Sequence, residues 1–127
     1  MKRYVKLFEA FGQERFCCSP MSLLDAFEEI PGDALRWAAF HINDFGAEQA
    51  ERMAEGPEEA MAVRRLMSCR SSRGVDAIGM LDMLEDMRFD LDSVRMYISS
   101  LERGDYEQVA EMPGGRAFLS RYKSIEC

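Results

Sequence analysis

The sequence is poor in the residues that most catalytic and metal sites require: it holds one histidine, one tryptophan, four cysteines and four prolines, and 16 basic side chains against 23 acidic ones. With His41 alone there is no second base for a hydrolase triad, and no Gly-x-Ser-x-Gly elbow, Cys-x-x-Cys or His-x-x-x-His spacing occurs. His41, between Phe40 and Ile42 on an apolar stretch, reads as a hydrogen-bonded structural histidine. A zinc site would have to combine Cys17, Cys18, Cys69 and His41 without ligand-like spacing. A calcium loop counted from Asp90 meets Arg95 where glycine belongs and Leu101 where glutamate belongs. Gly114-Gly115-Arg116 lacks the Lys-Ser pair of a phosphate cradle. No catalytic residue, no metal and no cofactor is therefore expected.

Long apolar runs are also missing. None approaches the roughly 20 residues of a membrane span, and Lys2, Arg3 and Lys6 interrupt the stretch where a signal peptide needs apolar residues. A soluble cytoplasmic protein with no membrane partner is expected. Cys17 and Cys18 are adjacent, Cys69 is isolated and Cys127 is the last residue, which is not the spacing of a secreted disulfide framework. Reduced, buried thiols are the expectation. A formal net charge of −7 disfavours direct nucleic-acid binding, which needs clustered Lys and Arg.

What is present is helical periodicity. The 127 residues are 47% hydrophobic and 31% charged, the balance of one globular domain spanning 1–127. Apolar residues recur at helical spacing in Tyr4, Leu7, Phe8 and Phe11, in Leu23, Leu24, Phe27 and Ile30, and in Val94, Tyr97, Ile98 and Leu101. Ser19-Pro20, Asp33, Gly56-Pro57, Asp76 and Asp105 read as helix starts, and Gly104 as a helix end. In the third helix Leu35, Ala38, Ala39 and Ile42 form one stripe and Trp37, Phe40 and His41 a second, predicting the central helix. The helix from Pro57 is expected to bury Ala60, Val63, Met67 and Leu66. The fold class is all-α, an array of about seven to nine short helices, with a minor two-stranded element at Tyr4–Phe8 or Phe16–Cys18. Residues 69–75 read as a hinge or exposed tip.

Charge lies in blocks. Residues 44–59 carry Asp44, Glu48, Glu51, Glu55, Glu58 and Glu59 against Arg52, residues 64–73 carry Arg64, Arg65, Arg70 and Arg73 with no acid, and residues 76–92 include Asp82, Glu85 and Asp86. Two accounts compete: the arginines pair with their acidic neighbours, or the acidic helices present a negative surface to a basic partner. The 10 methionines include Met80, Met83 and Met87 along one helix side, suiting an irregular core or an adaptable groove. In the second case Met83, Met87 and the neighbouring acids form a mixed contact patch, and the same face could pair two copies in a homodimer.

The opening Met1-Lys2-Arg3-Tyr4-Val5-Lys6-Leu7-Phe8-Glu9-Ala10-Phe11 resembles the amphipathic start of many small phage-encoded proteins. That resemblance implies an inhibitor of host defence, such as an anti-CRISPR protein, acting in a host cytoplasm by occupying a basic nucleic-acid channel. The leading expectation is a non-catalytic protein-binding module, an inhibitor or adaptor, whose acidic helices 47–59 and 76–92 engage a basic protein. The alternatives are a small thiol enzyme or redox-responsive regulator using Cys69 beside Arg70 and Arg73, and a helical DNA-binding regulator using Arg64, Arg65, Arg70 and Arg73.

Overall fold

The computed structural model describes residues 15–127. Among them the order is β1 (Cys17–Cys18), α1 (Pro20–Glu29), α2 (Gly32–Phe45), α3 (Ala47–Met53), α4 (Pro57–Cys69), β2 (Val75–Asp76), α5 (Ala77–Asp86), a 3₁₀ turn (Arg88–Asp90), α6 (Leu91–Glu102), α7 (Tyr106–Glu111) and α8 (Gly115–Ile125). This is the all-α fold with a minor two-stranded antiparallel sheet. The Tyr4–Phe11 helix and the Tyr4–Phe8 strand lie outside the described residues.

The helices start where side chains can satisfy their first amide groups. Ser19 caps α1 with Pro20 at the first helical position, the Asp76 carboxylate accepts from the Gly79 N–H at 3.0 Å to cap α5, and Asp105 accepts from the Gln108 N–H at 3.1 Å to cap α7. Asp33 does not cap α2: Pro31 occupies that position and Asp33 lies in the first turn, where its charge meets the positive helix end. Gly104, with φ +81°, takes the left-handed conformation that closes α6.

One core joins the helices. α5 packs against α1, α2 and α8, and its Ala77, Met80, Leu81, Met83 and Leu84 are all buried. Around it lie Leu23 and Leu24 of α1, Leu35, Ala38, Ala39 and Ile42 of α2, Leu66 of α4 and Ile98 of α6. Each fully buried Leu, Ile or Met among them contributes roughly 1.5–3 kcal/mol of transfer free energy. Only one of the two predicted α2 stripes is core; Trp37 and His41 are half-buried and Phe40 is exposed. On α4 the core face is Ala62, Val63, Leu66 and Cys69, with Ala60 and Met67 half-buried at its margin.

The sheet pairs Cys17 with Asp76 and Cys18 with Val75, and single bridges add Arg70 beside Cys18 and Glu126 beside Val75. The loop 70–74 is held against β1: the Ser71 N–H donates to the Cys17 carbonyl at 2.9 Å, and a methyl group added at Gly74 would overlap the Cys18 carbonyl. Ser72 and Arg73 form its exposed tip. The Cys127 N–H donates to the Gly74 carbonyl at 3.0 Å, which delivers the tail to β1. The expectation of reduced thiols is corrected there, because Cys17 and Cys127 form a disulfide with Cα atoms 6.4 Å apart, inside the range such bonds span. Cys18 and Cys69 are free and buried.

Candidate functional site

The acidic block of residues 47–59 folds into a corner. α3 and α4 pack on each other and on α2, and the turn between them is closed by Glu59, whose carboxylate accepts from the Glu55 N–H at 2.7 Å. Glu58 and Glu59 occupy the first turn of α4, where the helix dipole favours negative charge. Glu51 accepts from Arg64 at 2.8 Å. Glu48, Glu55, Glu58 and Glu59 have no Lys or Arg partner among the described residues. Glu55, Gly56, Pro57, Glu58 and Glu59 line a shallow depression. Met61, one turn beyond Glu58 on α4, is 50% exposed.

The second acidic block is different. Asp82 pairs with Arg36, Glu85 with Arg88, and Asp86 with Arg121 at 3.0 Å. Exposed pairs of this kind add little stability, but each sets an arginine beside an α5 carboxylate, whereas Asp90 and Asp92 of the same block have no Lys or Arg partner among the described residues. The mixed contact patch is corrected at Met83, which is 1% exposed and part of the core because it falls on the same side of α5 as Met80 and Leu84. Met87 is half-buried against that core.

The arginine stretch divides into separate fates. Arg64 reaches Glu51, Arg65 donates to Glu29 at 2.6 Å, Arg70 sits over the Phe16 ring at 5.7 Å, and Arg73 projects from the loop tip. Of the four, Arg64 alone joins an acid of the flanking blocks among the described residues.

Cys69 is 4% exposed, beneath the junction of α4 and β1. Its thiol is pulled below the ordinary value by a hydrogen bond from Cys18, against the cost of burial and with help from Arg65 and Ser68; Cys18 is pushed upward by that same bond and by burial. The Cys18 thiol also reaches the Leu66 carbonyl at 3.6 Å. Among the described residues no group of three or more His, Cys, Asp or Glu side chains is placed to hold a metal, and no helix is long and apolar enough to cross a membrane. His41 donates through Nδ1 to the Trp37 carbonyl at 2.8 Å and stacks on the Trp37 ring at 4.0 Å.

Sequence patterning did not single out Met61, because an apolar residue beside an acidic run reads equally as core. It also passed over Glu102, Tyr106, Tyr122 and Glu126, which come together only in the folded chain. Compared with known protein families, curated proteins and solved structures, the chain gives no match.

Proposed function

We propose that the chain is a non-catalytic protein-binding module, an inhibitor or adaptor, that presents its α3–α4 corner to a basic partner. The observation that carries this reading is the difference between the α5 carboxylates and those of the α3–α4 corner. Asp82, Glu85 and Asp86 are each answered by an arginine, whereas Glu48, Glu55, Glu58 and Glu59 have no cationic partner among the described residues. Exposed Met61 supplies an apolar contact beside those charges, the combination of apolar centre and charged rim that protein interfaces use. In its sharper form the partner is a nucleic-acid-binding protein whose basic channel the corner occupies, as the resemblance to small phage-encoded inhibitors implies.

The test is capture of partners from the native host by three proteins: wild type, one carrying Glu48→Lys, Glu55→Lys, Glu58→Lys and Glu59→Lys, and one carrying Asp82→Lys, Glu85→Lys and Asp86→Lys. The partner of the wild type should be retained by the α5 variant, lost by the corner variant, and released by salt. Retention by the corner variant would overturn the reading.

A further inference from the structure

A second feature is a cleft of about 250 Å³ lined by the start of α1, the 71–74 loop, the end of α6, the start of α7 and the end of α8. Its polar walls include Ser71, Arg73, Glu102, Tyr106, Tyr122 and Glu126. Three charges of two signs share this cleft, yet neither Glu102 nor Glu126 pairs with Arg73, and none of the three has an ion-pair partner among the described residues. Arg36, Arg64, Arg65, Arg88, Arg95 and Arg121 each reach a carboxylate, whereas Arg73, like Arg52, Arg70, Arg103 and Arg116, has no ion-pair partner among the described residues.

Part of the wall is held in place. The Arg73 N–H donates to the Ser71 hydroxyl at 3.3 Å, the Tyr106 hydroxyl donates to Glu126 at 3.1 Å, and Glu126 is held by its bridge to Val75 and by the disulfide at Cys127. Tyr122 supplies the independent sign of an occupant. It is 7% exposed, lines the cleft, and its hydroxyl has no hydrogen-bond partner among the described residues. Buried hydroxyls are almost always partnered, because leaving one unbonded forfeits its hydration without return. Burial, and then the nearby Glu126, Tyr106 and Glu102, push this phenol up to about 12, so it stays a neutral donor and acceptor.

We infer that this cleft binds a small zwitterion of the amino-acid class, its ammonium between Glu102 and Glu126 and its carboxylate on Arg73 and the Ser71 hydroxyl, with Tyr122 hydrogen-bonding to it. Size fits a small occupant: 250 Å³ falls below the roughly 300–1,000 Å³ of pockets for drug-sized ligands. An inorganic anion would face two carboxylates, and a simple amine or metal cation would leave Arg73 unanswered. A ligand carrying both signs answers both kinds of charge in the lining.

Calorimetric titration of the full chain with a panel of free amino acids tests the site. At least one should bind, and its N-acetyl and amide derivatives, each lacking one charge, should bind more weakly. Arg73→Gln and Glu102→Gln, both at exposed positions, should each weaken binding about tenfold, the scale of one charge-assisted hydrogen bond, and Tyr122→Phe should weaken it in a chain that keeps its helical circular dichroism. No heat from any free amino acid would overturn the inference and leave an ordered water as the partner of Tyr122. Undiminished binding of both blocked derivatives, or of both the Arg73 and Glu102 variants, would overturn it as well.

Discussion

Cys17 and Cys127, separated by 110 positions in the sequence, are joined by a disulfide that fastens the end of the chain to the first strand. The bond acts on the unfolded chain more than on the folded one, since it removes the conformations of a long open loop. Reduction, or Cys127→Ser, should lower the free energy of unfolding by about 2–4 kcal/mol, read as a shift in the urea midpoint. An identical midpoint with and without reductant would show that the two thiols are not linked.

Met83 and Met87 separate core from margin on one helix. Truncation of Met83 to alanine should cost about 2–5 kcal/mol through lost burial and the cavity left behind, and Met87→Ala should cost clearly less. The comparison is made by denaturant unfolding. A mild effect at Met83 would return it to the surface and reopen the contact patch.

Gly74 carries a demand that its neighbours do not. Its Cα faces the Cys18 carbonyl so closely that alanine cannot fit without parting the loop from β1. Gly74→Ala is expected to destabilise by more than about 1 kcal/mol, the centre of the distribution for single substitutions. Hydrogen exchange should quicken at the Ser71 and Cys127 amides, which bond to Cys17 and Gly74. Unchanged exchange there would mean the loop tolerates a side chain.

The thiol pair gives a stability profile with two signs. Cys69 ionises below, and Cys18 above, the ordinary value of 9.0. Below the lowered Cys69 value folded and unfolded chains hold the same protons, and the pair contributes no slope. From there to 9.0 the unfolded chain holds one proton more, so stability rises with pH. Above 9.0 the folded chain keeps the Cys18 proton that the unfolded chain loses, and stability falls. Subtracting the profile of a Cys18→Ala, Cys69→Ala variant should leave a maximum near that pH; a flat difference would rule the pairing out.

Local chemistry was legible wherever it was sufficient. The caps at Ser19, Asp76 and Asp105 and the glycine at 104 follow from rules that involve a few neighbouring residues, and the structure places them as read. Periodicity located the α2 stripes but could not say which had a partner, so Phe40 was counted inside although it faces out. The Cys17–Cys127 bond left no trace in spacing, because the Gly74 and Val75 contacts that bring the tail home are made between residues about fifty positions apart. The cleft was illegible for the same reason: Arg73, Glu102, Tyr106 and Tyr122 sit on four different segments.

The small sheet has a consequence for how copies of the chain meet. Val75 is bonded on both sides, by Cys18 and by Glu126, and beyond Cys18 lies Arg70, so four short segments stand side by side and each outer edge is only one or two residues long. An edge that short gives an incoming strand too few free amides and carbonyls to pair with. Among the described residues this sheet gives the growth of ordered aggregates by strand addition no long template while the fold is intact. Among the described residues the large apolar side chain left most open to contact is Phe89, on the 3₁₀ turn, which is 90% exposed.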